Sequence, residues 1–117
     1  MPNTNPYFNF LRRCEIYRLL VNQSCAHISS KQLELFIEIA IKDGQGQPMT
    51  VSQTMALRGI ASSAALHNRI DDLREAGMIR INYKGEDRRT KYLTPSNKGY
   101  RYLALMGTLL SNTFAAL

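Results

Sequence analysis

Apolar residues recur at helical spacing in the first part of the chain. One stripe, with steps of three and four residues, consists of Phe10, Cys14, Tyr17 and Val21. Charged side chains fall largely outside it, so the pattern predicts an amphipathic helix over Tyr7–Cys25. The polar residues 1–6 contain two prolines, and we expect this lead to be loose.

A second apolar stripe follows an interruption around His27. Ser29 stands three residues before Gln32, which is the spacing of a capping box and predicts the start of a helix. Apolar and charged positions then alternate with a helical period. The glycine- and proline-containing run Asp43–Pro48 predicts the end of this second helix.

Two shorter helices joined by a turn come next. Thr50 and Gln53 again have capping-box spacing and predict a helix over Val51–Arg58, which Gly59 ends. Ser62 is a favourable N-cap for the following helix. In that helix the predicted buried stripe is Leu66, Ile70 and Leu73, and the predicted C′ residue is Gly77.

After residue 77 the period changes from helical to alternating. Three apolar positions, Ile79, Ile81 and Tyr83, alternate with Arg80, Asn82 and Lys84, which predicts a half-buried strand. Gly85-Glu86-Asp87 predicts a turn, Arg89–Leu93 a returning strand, and Thr94-Pro95 its end. A final helix is capped by Ser96 or Asn97, and its apolar positions are Tyr100, Leu103, Met106, Leu110, Phe114 and Leu117.

These elements predict a mainly α protein with a small β-hairpin, in the order of a winged helix-turn-helix. The 117 residues fit one domain. Within it, residues 50–76 form the helix-turn-helix, 78–94 the wing, and 7–26 and 97–117 the flanking helices.

Positive charge is concentrated in one part of the chain. The net charge is +6, and residues 78–101 hold seven basic against two acidic side chains, which accounts for five of these charges. Such a local basic stripe favours a nucleic acid as partner.

Other chemistries have little support in the residues. Cys14 and Cys25 form no CxxC or metal-ligand cluster with His27 and His67, so we expect a reduced, cytoplasmic protein without metal or cofactor. No catalytic motif, signal peptide or membrane-spanning run is present, so an enzyme and a membrane partner are not expected. Cys14 is either a buried, inert thiol, which its place on the apolar stripe favours, or a redox-sensing thiol.

The helix predicted after Ser62 has two different halves on its outward face. Its first half is small and neutral, whereas Asp71, Asp72 and Glu75 in its second half would repel phosphates. We therefore expect only the first half to enter a DNA groove. The candidate contacts there are Ser62, Ser63, Ala64, His67, Asn68 and Arg69.

Alternatives remain open for several of these side chains. Asn68 suits the N6/N7 edge of adenine, but it is equally well explained as an exposed helix residue. Arg69 can bind phosphate or pair with Asp72 or Glu75. The basic side chains of the wing either contact phosphates and the minor groove or are merely a solvated surface. The first role is favoured for Lys84, Arg88, Arg89 and Lys91.

Residues 28–102 resemble the MarR-type winged-helix transcription regulators. The resemblance rests on the helix before Thr50, the spacing of Leu66, Ile70, Leu73 and Gly77, the wing motif Asp87-Arg88-Arg89, and the Thr94-Pro95 segment followed by Gly99. It implies a homodimer with interlocking terminal helices and a near-palindromic DNA site. It also implies that Arg89 reaches the minor groove while Asp87 holds the wing tip in shape.

The apolar faces of the flanking helices point to the same assembly. A small winged core cannot easily cover both stripes, so we expect dimerisation through Phe10, Cys14, Tyr17, Val21, Leu103, Met106, Leu110 and Phe114. The predicted function is sequence-specific binding of double-stranded DNA by a regulator of transcription. The alternatives are a plasmid- or phage-type protein for replication or partition, and a winged helix that binds protein instead of DNA. No pattern identifies a small-molecule effector.

Overall fold

The computed structural model describes residues 5–24, 28–57 and 61–115. In chain order it contains helices α1 (Pro6–Ser24), α2 (Ser30–Gly44), α3 (Val51–Met55) and α4 (Ser63–Glu75), strands β1 (Ile79–Asn82) and β2 (Tyr92–Pro95), and helix α5 (Asn97–Ala115). This architecture confirms the predicted fold class. The predicted turn residues Gly59 and Ile60, together with His27 and Leu117, lie outside the described residues.

Side chains that cap free amides define where the helices begin. The capping boxes predicted at Ser29 and Thr50 are both formed, and Ser62 accepts from the backbone N–H of Ala65 at 3.3 Å. At the start of α1, Asn5 Oδ1 accepts from the backbone N–H of Tyr7 at 2.9 Å, and Pro6 occupies the first helical position. The end of the predicted loose lead is therefore the start of α1.

The core lies where α2, α4 and the hairpin meet. It contains the predicted stripe of α4, and its fully buried side chains include Leu35, Phe36, Ile39, Leu66, Leu73, Met78 and Leu93. Phe36 also packs edge-to-face on Tyr102 of α5, with ring centroids 5.7 Å apart. At the end of α4, Gly77 has φ +75°, the left-handed conformation that its predicted C′ position requires.

The returning strand of the wing differs from the sequence prediction. It runs over Tyr92–Pro95 rather than Arg89–Leu93, with Ile79 opposite Pro95 and Ile81 opposite Leu93. On its other edge the backbone N–H of Leu93 donates to the Met49 carbonyl at 2.8 Å. The hairpin is thus braced by the residues that precede α3, a partner distant in sequence that the local alternation did not reveal.

The flanking helices α1 and α5 pack against each other. Leu109 of α5 is buried but does not belong to the main core cluster. The molecule is elongated, measuring 58 × 28 × 26 Å, and its radius of gyration of 16.1 Å exceeds the roughly 13 Å expected for a compact domain of this length. Among the described residues, no helix is long and apolar enough to cross a membrane.

Candidate nucleic-acid interface

The first half of α4 presents small and polar side chains to solvent. Because Leu66, Ile70 and Leu73 are buried against the core, the opposite side of the helix must face outward. The exposed residues of this half are Ser62, Ser63, Ala64, His67 and Asn68. The structure therefore brings five of the six predicted helix contacts together on one accessible surface.

Two aspartates in the acidic second half of α4 form side-chain contacts within the protein. His67 Nε2 lies 3.5 Å from Asp71 Oδ2, one helical turn away. Asp72 Oδ2 accepts a hydrogen bond of 3.0 Å from the Gln32 amide of α2. Asp72 therefore contacts the neighbouring helix α2, and both Asp71 and Asp72 have polar partners within the protein.

Arg69 differs from the other predicted helix contacts because it is half-buried. Its Nη1 atom is buried and has no hydrogen-bond partner in the part of the chain that the structure describes. The described residues also form no ion pair between Arg69 and Asp72 or Glu75, the alternative role considered for it. A phosphate contact by Arg69 stays a prediction.

The tip of the wing is a tight turn that projects one arginine into solvent. The Asp87 N–H donates to the Lys84 carbonyl at 3.1 Å, and Gly85 between them has φ +55°, a conformation that glycine adopts without steric cost. Asp87 Oδ1 accepts the Arg89 N–H at 2.9 Å and lies 3.8 Å from Arg89 Nε. The Arg89 side chain is 97% exposed. Asp87 therefore contacts both the backbone and the side chain of Arg89.

Two other wing cations lie over tyrosine rings. Lys84 Nζ is 4.9 Å from the centroid of Tyr92, and Arg88 Cζ is 5.0 Å from that of Tyr83. Such cation–π contacts restrain long side chains that would otherwise sample many rotamers. The sequence prediction missed both tyrosines as positioning residues, although aromatic and basic positions lie close together in the hairpin.

Not every cation of the basic stripe is available to a ligand. Lys98 Nζ donates to the carbonyl of Ala76 at 3.1 Å, where α4 ends. An ammonium group at this position satisfies an unpaired carbonyl and opposes the negative end of the helix dipole. Lys98 therefore serves the fold.

A groove of about 800 Å³ separates the second half of α4 from the wing. It carries two arginines that were not among the predicted DNA contacts, Arg74 and Arg80, beside acidic side chains. Its lining residues are Asp71, Arg74, Glu75, Ile79, Arg80, Ile81, Tyr83 and Lys91. The exposed residues in the first half of α4 do not line this groove.

The predicted dimerisation residues fall into three groups. Phe10, Cys14, Leu103 and Met106 are half-buried within the single chain, and Leu110 is 43% exposed. The side chains of Tyr17, Val21 and Phe114 lie outside the described residues. Among the described residues of the same two helices, six further large apolar side chains are exposed, namely Tyr7, Phe8, Leu11, Ile16, Tyr100 and Leu105.

The environment of Cys14 does not favour a reactive thiol. Burial raises the pKa of the Cys14 thiol, which lowers the fraction present as nucleophilic thiolate. Among the described residues, no group of three or more His, Cys, Asp or Glu side chains is arranged so that it could hold a metal ion.

The capped helix pair α3–α4 followed by the β1–β2 hairpin is a winged helix-turn-helix. The overall arrangement, including the flanking helices, is that of the MarR-type winged-helix fold. It is similar to MepR of S. aureus solved in complex with DNA, with a TM-score of 0.63 and 10% identity over 91% of this chain and 79% of that one. It is also similar to a MarR-like transcriptional regulator of Thermotoga maritima, with a TM-score of 0.63 and 13% identity over 99% and 81% of the two chains.

A third similar structure is MarR of Staphylococcus aureus in complex with salicylate and kanamycin. Its TM-score is 0.56, with 19% identity over 96% of this chain and 71% of that one. The sequence itself matches no protein-family model and no curated protein sequence. The likeness is therefore one of fold.

Proposed function

We propose that this protein binds double-stranded DNA as a homodimer and regulates transcription by occupying specific sites. The observation that carries the proposal is the joint exposure of a capped, polar helix start and an arginine-tipped wing on one molecule. The helix start suits a major groove and Arg89 suits a narrow minor groove. MepR, which shares the fold, has been solved with DNA.

Each element has a separate task in this proposal. Asn68 and its exposed neighbours on α4 contact base edges, while Arg89, Arg88, Lys84 and Lys91 provide most of the electrostatic affinity. Asp71 and Glu75 keep the second half of α4 away from the phosphates. Sequence preference and affinity therefore depend on different elements.

The salt dependence of DNA binding tests this function. With several phosphate contacts per subunit, we expect a plot of log affinity against log salt concentration to have a slope of about −4 or steeper. Fluorescence anisotropy on a duplex selected from a random pool measures it. A winged helix that binds only protein would show no such DNA affinity, and a selected site without two-fold symmetry would contradict the dimeric arrangement.

Dimerisation through α1 and α5 is tested by charge insertion. Leu105 and Leu110 are 42% and 43% exposed on α5, so glutamate at both positions should leave the chain folded but separate the subunits. Sedimentation velocity at micromolar concentration should show twice the chain mass for wild type and one chain mass for the double variant. Ile37→Glu on α2, equally exposed at 43%, is the matched control and should remain dimeric. A wild-type protein that sediments as a monomer would contradict the proposed homodimer.

A further inference from the structure

A small notch lies at the root of the wing, beside the start of α3. Its volume is about 290 Å³, and it is lined by Thr50, Val51, Ser52, Arg89, Thr90 and Lys91. The α4–wing groove is a different cavity, although Lys91 lines both. None of Thr50, Ser52 and Thr90 was a predicted ligand contact.

Backbone hydrogen bonds fix the shape of the notch. The N–H of Val51 donates to the Lys91 carbonyl at 2.9 Å, and Thr50 forms a β-bridge with Tyr92. The two walls of the notch are thus joined by main-chain pairing. Side chains at its mouth can be replaced without removing these bonds.

The chemistry of the lining suits an anion. Arg89 and Lys91 contribute two cations, while Ser52 and Thr90 contribute hydroxyl groups able to donate hydrogen bonds. No carboxylate is among the lining residues, and Lys91 has no ion-pair partner in the described part of the chain. Guanidinium, ammonium and hydroxyl donors together match the oxygen atoms of a phosphate group.

The notch also lies where a phosphate would be expected. A DNA strand separates a major groove from the adjacent minor groove, so a strand must cross between the helix-turn-helix and the wing tip. The notch joins α3 of the helix-turn-helix to Arg89 of the wing. The strand that crosses between these two parts would therefore pass the notch.

We propose that this notch holds one backbone phosphodiester of the bound duplex, with Ser52, Thr90 and Lys91 as its ligands. The proposal rests on the DNA binding proposed above and adds a contact that carries no base information. Its role is to fix the register of the protein on the duplex, so that α4 and the wing meet their grooves together.

Two variants test the notch, each by a different readout. Ser52→Ala with Thr90→Val should weaken binding to specific and random duplexes equally, by about tenfold. Lys91→Gln should also lower the steepness of the salt dependence by about 1 per subunit. Lys31→Gln, at an exposed lysine on α2, is the matched control and should change neither quantity. Circular dichroism and thermal unfolding check that every variant is folded.

A single neutral methylphosphonate, moved along the duplex, identifies the phosphate. At one position in each half-site it should weaken wild type about tenfold but have little effect on the Ser52→Ala, Thr90→Val variant. If the methylphosphonate affects wild type and variant equally at every position while wild type still binds DNA, the phosphate site in the notch is refuted and the proposed function stands. Saturable stabilisation of free wild type by inorganic phosphate, without that coupling, would assign the notch to a free anion instead. Failure of wild type to bind any duplex overturns both proposals.

Discussion

Arg89→Ala should weaken binding to specific and random duplexes alike, by roughly a hundredfold for a dimer that loses two such side chains. The expected loss is large because the Arg89 side chain is almost fully exposed, while Asp87 accepts the Arg89 backbone N–H and so orients the backbone beneath it. A desolvated guanidinium in a narrow minor groove has no substitute among the restrained cations nearby. Gel-shift titration on a selected and a random duplex measures the effect.

Two controls separate this role from others. Arg12→Ala removes an exposed arginine from α1 and should leave binding unchanged. Asn68→Ala should reduce only the preference for the selected site, by about 1 kcal/mol per half-site, since an amide reads a base edge and does not neutralise a phosphate. Unchanged affinity of Arg89→Ala would remove the wing from the proposed interface.

Gly99→Ala should lower the free energy of unfolding by about 3 kcal/mol, at the upper end for an overpacked core. A Cβ atom at this buried position would lie 3.0 Å from Phe36 Cε2 and 3.1 Å from Pro95 Cβ, and closer still to the Met78 carbonyl oxygen. Backbone and a proline ring cannot give way as a flexible side chain can. Urea denaturation followed by circular dichroism measures the change.

The matched control for this substitution is Gly44→Ala. Gly44 ends α2, and a Cβ atom there meets nothing within 4 Å. Alanine also has the higher helix propensity, so stability should stay constant or rise slightly. Equal stability of Gly99→Ala and wild type would show that the first turn of α5 can move away from the hairpin.

Local signals predicted the parts of this fold that local physics determines. The capping boxes at Ser29 and Thr50 and the buried stripe of α4 involve residues three or four positions apart, so the sequence pattern contains all that is needed. The structure places the return strand later in the chain than the sequence predicted, because the second edge of this strand pairs with Met49, more than forty residues earlier. Pattern alone cannot show such a partner.

In the candidate site too, features that depend on neighbouring residues were predictable from the sequence, whereas contacts between distant elements were not. The exposure of Asn68 depends on the helix period and agrees with the sequence expectation, whereas the role of Asp87 at the wing tip was implied by the resemblance and stays a prediction. By contrast, the contact of Lys98 with Ala76 crosses between elements, as does the close approach of Gly99 to Met78. The resemblance marked Gly99 as typical of the fold, and the structure supplies its steric cause.

One amide side chain, that of Gln32, connects the first turn of α2 to α4. Gln32 Oε1 accepts the Ser29 N–H at 3.0 Å to begin α2, while its Nε2 donates to Asp72 on α4. The first turn of α2 follows the end of α1 along the chain. A displacement of that turn must therefore either move α4 with it or break the hydrogen bond between Gln32 and Asp72, so Gln32 couples the position of α2 to that of the proposed recognition helix.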